Sequence, residues 1–297
     1  MRLAASGEVF PPHIAEFTAA HASRVRELGF TGCFTRFDLD DPFTTTESEV
    51  RRVRAILDDH GLEMVQAIGH RPPLIHPDDR VRQQGIRVFR RALWIAGGLR
   101  AHSCHTGPGS LAQAGVTRAD WVRSGAWNPH PGNWDAACVD RLIQSLRACA
   151  SAAEDSGTRI GLEGHVLVTL DSAETMRDVI DAVGSPAVGC DLDPVNWLRL
   201  ESVYRSGEAI DRMVEILGPR RIFNAHSKDV IVQPRLVTHI EECPTGQGIL
   251  DHDRLILRME DIGTERYFVL EHAAEADLIT GRAFLLARAA ALGVRVW

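Results

Sequence analysis

Long apolar runs are missing from the 297-residue sequence. None approaches the roughly 20 residues that a bilayer-spanning helix needs, so no membrane partner is expected. The opening Met1-Arg-Leu-Ala-Ala-Ser-Gly-Glu8 also carries too short an apolar stretch for a secretory signal, and a cytoplasmic protein is expected. Basic clusters are missing as well. The 33 Lys and Arg are outnumbered by 40 Asp and Glu, for a formal charge of -7. A nucleic-acid backbone needs grouped Lys and Arg to hold it, so no nucleic-acid partner is expected. The six cysteines, Cys33, Cys104, Cys138, Cys149, Cys190 and Cys243, show no C-x-x-C spacing. Several lie in apolar surroundings where a thiol packs as a small hydrophobe, which argues against a disulfide framework or a thiolate metal site. A small-molecule partner fits this balance better.

What is present is ordinary for a globular enzyme, with 44% hydrophobic and 25% charged residues. The pattern is strand then helix, repeated. Met1 to Ser6 reads as a strand, and Ile14, Phe17, His21, Val25 and Leu28 follow at helical steps up to a stop at Gly29. The second unit is Gly32 to Phe37, then a helix that Thr46-Glu-Ser-Glu49 opens with a capping box. Strands at 63–68 and 101–105 flank a helix from about Pro77 to Gly98. Four more strands end at Glu163, Asp193, His226 and Glu271, each followed by a helical stripe. The stretch after the His226 strand, through Thr245-Gly-Gln-Gly248, reads as irregular. Eight such units without a linker call for an all-parallel sheet covered by helices, and eight close a (β/α)8 TIM barrel in a single domain spanning 1–297. An open doubly wound sheet is the alternative, but no G-x-G-x-x-G follows the first strand.

Two features depart from this repeat. Between Thr106 and Asn133 periodicity fails, and Gly, Pro, Ser and the tryptophans Trp121 and Trp127 appear, with Trp134 at its end. A loop of that length inside a compact domain is usually functional. Here it reads either as a lid over the pocket or as a contact between subunits of a homo-oligomer. The second departure is chemical, because Glu163, Asp193, His226 and Glu271 terminate apolar runs that cannot bury charge cheaply. In a barrel these ends converge on one face, where like charges repel unless a cation neutralises them. One imidazole and three carboxylates suit a divalent ion; mostly oxygen donors favour Mn²⁺ or Mg²⁺, with Co²⁺ and Zn²⁺ as alternatives. Asp191 competes with Asp193, since both face the same side of one strand.

The sequence resembles the xylose-isomerase-like barrels of sugar isomerases and epimerases along nearly its whole length. The motifs that carry this are Ile160-Gly-Leu-Glu-Gly-His165, Asp193-Pro-Val-Asn196, His226-Ser-Lys-Asp229, Gly246-Gln-Gly-Ile-Leu-Asp251 and Val269-Leu-Glu-His272. The resemblance implies that Glu163, Asp193, His226 and Glu271 bind one metal ion, Mn²⁺ foremost, and that Glu163 and Glu271 also exchange protons with a carbohydrate substrate. It places Asn196 and Lys228 against substrate oxygens. The implied reaction is isomerisation or epimerisation of a keto sugar or related polyol through an enediolate. A dehydratase or decarboxylase of the same fold, acting on an inosose or keto-sugar acid, is one alternative, and a non-catalytic sugar-binding or accessory subunit is another. Only Asp193 is followed by Pro and Asn in the family manner, which favours it over Asp191. The arginine that ketose 3-epimerases carry a few residues beyond the histidine is replaced here by Val230-Ile-Val-Gln-Pro. His70, His105 and His130 lie near early strand ends or in the long loop, and are further candidates for substrate contact.

Overall fold

The computed structural model describes residues 1–123, 127, 129–263 and 265–297, with the side chain of Trp121 outside that description. Eight of the apolar runs pair side by side in parallel: β1 (Arg2–Ala5), β2 (Gly32–Thr35), β3 (Glu63–His70), β4 (Ser103–Thr106), β5 (Ile160–Leu162), β6 (Val188–Leu192), β7 (Ile222–Ser227) and β10 (Tyr267–Leu270). The sheet closes because β1 pairs β2 on one side and β10 on the other, giving a barrel in the order β1-β10-β7-β6-β5-β4-β3-β2. The strands are buried on both faces, which is why they read as short unbroken apolar runs.

The helices form where the sequence supplies both a stripe and a stop. Helix α1 (Ala19–Glu27) starts later than the periodicity suggested, because a single 3-10 turn at Ile14–Glu16 takes the first apolar residue. Helix α2 (Glu47–Asp59) opens with the Thr46 and Glu49 capping box and buries Val50, Val53 and Leu57. Helix α3 (Asp79–Gly98) precedes the long loop, in which α4 (Arg118–Arg123) and a 3-10 turn at Pro131–Trp134 now appear. Helix α5 (Ala136–Ser156) ends on Gly157 in the left-handed conformation. Helices α6 (Ala173–Val183), α7 (Ser206–Leu217), α8 (His252–Ile262) and α9 (Glu275–Ala291) complete the ring. The main core lies between barrel and helices, while Ala4, Phe34, Val65, Tyr267 and Val269 form a separate apolar plug.

One region differs from expectation. The segment after β7 is an antiparallel hairpin of β8 (Asp229–Gln233) and β9 (His239–Cys243), paired from Asp229 opposite Cys243 to Gln233 opposite His239. Its second strand is polar and mostly exposed, so it carries no alternating pattern to betray it. Among the described residues no helix is long and apolar enough to cross a membrane.

Candidate metal centre and substrate pocket

The C-terminal ends of the barrel strands open on the same rim. Glu163 follows β5, Asp193 follows β6 and Glu271 follows β10, while His226 lies within β7 opposite Val269. All four are buried. Their polar atoms gather around Nδ1 of His226, with Glu271 Oε2 at 3.0 Å, Glu163 Oε1 at 3.1 Å and Asp193 Oδ2 at 3.6 Å. One imidazole nitrogen cannot donate to three carboxylates. Asp193 Oδ2 and Glu271 Oε2 accept no well-aligned hydrogen bond, although Lys228 Nζ stands 2.6 and 3.4 Å from them as an ion-pair partner. Buried anionic oxygens with so few donors are what a divalent cation would complete.

His105, Glu163, His226 and Glu271 also offer ligand atoms within 4.8 Å of one another, a set that could hold a metal ion. His105 and Asp193 thus stand at two sides of the same three residues. His105 contacts the outer oxygen of Glu163, Nε2 to Oε2 at 3.2 Å, and its other nitrogen is 3.1 Å from Asp191 Oδ2. Asp191 accepts in turn from Ser103 Oγ at 3.1 Å. With both nitrogens engaged, His105 is placed to orient Glu163 from behind. His226 is braced in the same way, its Nε2 lying 3.1 Å from Gln66 Oε1. The room for Asp191 comes from β5, because a Cβ at Gly161 would fall 2.0 Å from Asp191 Oδ2.

The electrostatics follow from this crowding. Burial and the charge of Glu271 push the Glu163 carboxyl up, but the hydrogen bonds of His105 and His226 prevail and hold it well below the usual range. Burial raises Glu271 too, and the charges of His226, His272, Lys228 and Arg36 hold it well below. Burial alone would lower His226, yet the Glu271 charge and the facing carboxylates of Asp193 and Glu163 hold the imidazole well above its ordinary value. Lys228 is fully buried and stays charged against that burial through Asp193, Glu271, Glu163 and Glu242. The cluster therefore remains ionised by keeping its own cations close.

The remaining sequence candidates divide. Asn196 joins the cluster, donating from Nδ2 to Glu163 Oε1 at 3.0 Å and accepting from Lys228 Nζ at 3.3 Å. His70 is buried at the end of β3, neither ring nitrogen has a partner among the described residues, and burial pushes its imidazole down to about 4. His130 is engaged elsewhere, its Nδ1 accepting the Gly132 N–H to cap the turn at Pro131–Trp134, and no described contact joins it to the cluster. Asp229 of the His226-Ser-Lys-Asp229 motif is a clamp. Its carboxylate accepts from the backbone of Gly246 and Leu250 and meets His252 Nε2 at 3.1 Å, fixing the glycine turn.

Residues with no signal in the sequence complete the rim. Arg36, just past β2, bonds Glu271 Oε1 and lies over the Phe34 ring. Arg71, just past β3, is 3.0 Å from Glu163 Oε2 and lies 3.7 Å from the centre of the Trp127 ring. Trp127 stacks on its other side against His165 at 4.7 Å and 12°. The loop after β4 thereby reaches over Glu163. Of the other tryptophan-lid residues, the side chain of Trp121 and all of residue 128 fall outside the described residues. The backbone that aims Arg71 is unusual: Ile68 and Gly69 have φ of 75° and 61°, and the pairing of β3 with β4 shifts register between Ala67 and His70.

Comparison with known proteins agrees with this architecture. The sequence profile described as "Xylose isomerase-like TIM barrel" matches residues 22–288. No curated protein matches the sequence significantly. Among solved structures, a xylose isomerase-like TIM barrel protein from Mycobacterium smegmatis in complex with magnesium shares 18% identity, covers 97% of this chain and 96% of its own, and superposes with a TM-score of 0.68. D-psicose 3-epimerase with D-tagatose, from Clostridium cellulolyticum H10, shares 15% identity over 99% and 100% of the two chains, TM-score 0.69. The 3-keto-D-glucoside 4-epimerase of E. coli shares 16% over 97% and 99%, TM-score 0.68. At these identities the likeness is one of fold.

Proposed function

Because the chain belongs to the xylose isomerase-like TIM barrel family, we propose that it is a divalent-metal-dependent isomerase or epimerase of a keto sugar or related polyol. The observation that carries this reading is the set of three carboxylate oxygens lying 3.0 to 3.6 Å from one imidazole nitrogen, two of them without aligned donors. Glu163, Asp193, His226 and Glu271 are the ligands, and His105 orients Glu163. One nitrogen with three oxygen donors favours Mn²⁺, with Mg²⁺ next. When bound, the ion polarises a carbonyl and the neighbouring hydroxyl, which acidifies the adjacent C–H by stabilising the enediolate.

The side chains supply the proton chemistry. Glu163 and Glu271 each turn one oxygen to His226 and the other outward, Glu163 Oε2 to Arg71 and His105, Glu271 Oε1 to Arg36. One removes the carbon-bound proton and the other returns a proton to a different face or carbon. Both carboxylates are held ionised by their neighbours, so each is in the form that can accept a proton. Lys228 and Asn196 are placed to bind a substrate oxygen, and Trp127 shields the pocket from water.

Solvent exchange tests this. With Mn²⁺ and a turned-over keto sugar, product formed in D₂O carries deuterium at the reacting carbon, and Glu163→Gln or Glu271→Gln loses turnover by roughly 10² to 10⁴-fold with metal content unchanged. Full activity in both metal-loaded variants, with no deuterium incorporated, would refute the assignment in favour of a non-enediolate or accessory role.

A further inference from the structure

Beside the carboxylate cluster the barrel mouth holds a second cavity, and its lining has the opposite charge. The space measures about 310 Å³, with Phe10, Phe34 and Leu39 as apolar wall and Arg36, Arg118 and His272 as polar groups. Glu8 is the one carboxylate residue in this lining. Arg118 belongs to α4, in the loop after β4, yet it lines a cavity otherwise built from the loops after β1, β2 and β10. The chain therefore crosses the mouth to bring a guanidinium there. Among the described residues Arg118 has no ion-pair partner.

We propose that this cavity receives a carboxylate of the substrate while the carbonyl end faces the Glu163 and Glu271 cluster, which makes the substrate a keto-sugar acid. The inference rests on the reading of that cluster as a metal-dependent proton-transfer site. Arg36 joins the two spaces, since it lines the cavity and bonds Glu271 Oε1, while Glu271 Oε2 faces His226. A molecule touching Arg36 is one contact away from the reacting carboxylate. Planar guanidinium forks match a carboxylate, and the apolar wall beside them offers no competing charge. Arg36 is already shared with Glu271, so Arg118 is the guanidinium left to pair with a single carboxylate, whereas a dianionic phosphate would also face Glu8 and the nearby Glu271. At this volume the cavity suits the acidic end of a small molecule.

The test compares matched non-ketonic probes that cannot turn over. D-gluconate, D-galactonate and D-mannonate are titrated calorimetrically into the metal-loaded protein, freed of excess ion, against D-glucitol, galactitol and D-mannitol. At least one aldonate is expected to bind roughly tenfold or more tighter than its alditol. Arg118→Ala should bring that pair near parity while leaving alditol affinity and metal content unchanged. Parity in every pair, absence of binding by every aldonate, or a preference untouched by Arg118→Ala overturns the proposal. So does an Arg118-dependent preference for D-glucitol 6-phosphate over D-gluconate, which would assign the cavity to phosphate. An Arg118-dependent aldonate preference in a protein that exchanges no carbon-bound hydrogen of any keto acid upholds the cavity and refutes the proton-transfer reading. Equal exchange of neutral keto sugars and keto acids does the reverse.

Discussion

The two halves of the barrel mouth are built by different means. On the side of β5, β6, β7 and β10, acidic groups and an imidazole stand at or within one step of the strand ends, on pairings that are regular except for one shift between Cys190 and Asp191. On the side of β2, β3 and β4, arginines and histidines are aimed by irregular backbone, including the register shifts at Cys33/Phe34 and Ala67/His70 and the positive φ of Ile68 and His70's neighbour Gly69. In the proposed function the acidic half is where a cation would be held and a proton moved. The basic half, through Arg36 and Arg71, holds the outer oxygens of the same two glutamates.

The sharpest way to break this contrast is to remove the residue on which the acidic half converges. His226→Ala deletes the nitrogen that faces three carboxylates. Metal content after dialysis against Mn²⁺ is expected to fall by more than tenfold, whereas Arg36→Ala or Arg71→Ala should retain it. Metal held at full occupancy in the His226 variant would remove it from the ligand set. The variant also leaves carboxylates buried with one fewer cation, so circular dichroism must show the barrel intact before the metal result is read.

That contrast also explains what the sequence could reveal. Eight strands and their helices were legible because each buried run is short, apolar and closed by glycine or a cap, as at Thr46 and Gly157. Glu163, Asp193, His226 and Glu271 were legible because charge at the end of an apolar run is a conspicuous exception. Asp191 and Asp193 share a facing by the period of two, but only the structure separates their partners, Ser103 and His105 for one, Lys228 for the other. Arg36, Arg71 and Arg118 gave no signal, since an arginine in a loop reads as surface charge. Their placement depends on backbone irregularities and on a loop crossing the mouth, neither of which has a periodicity. The hairpin of β8 and β9 was missed for a related reason, its second strand being polar on both faces.

His70 sharpens the comparison through pH. Burial, with Arg71 adding to it, lowers the His70 imidazole to about 4, so the folded protein keeps it neutral where the unfolded chain, with an ordinary value near 6.5, has already bound a proton. Stability from this group is thus present above about pH 6.5 and is lost as pH falls through the window from 6.5 to 4. Between pH 7 and pH 5 the loss is about 2 kcal/mol for this residue. His70→Asn should flatten the pH dependence of urea unfolding by that amount relative to the unaltered protein. An unchanged dependence would mean that His70 is solvated or paired in solution.

The smallest effect expected is at the join between the halves. Trp127 lies between Arg71 from β3 and His165 beyond β5, so it ties the basic rim to the acidic one. Its ring is half-buried, and cation–π contact with a guanidinium is worth about 0.5 to 2 kcal/mol depending on desolvation. Trp127→Ala should therefore raise KM by roughly three- to tenfold through a looser cover over Glu163, and should change thermal stability little. Trp127→Phe, which keeps an aromatic face for Arg71, should recover most of the loss. A subunit contact is the competing reading of the loop, and the same variant distinguishes the two. Altered sedimentation with an unchanged KM would place Trp127 at an interface, while altered KM with unchanged sedimentation places it over the pocket, where Arg71 and His165 hold it.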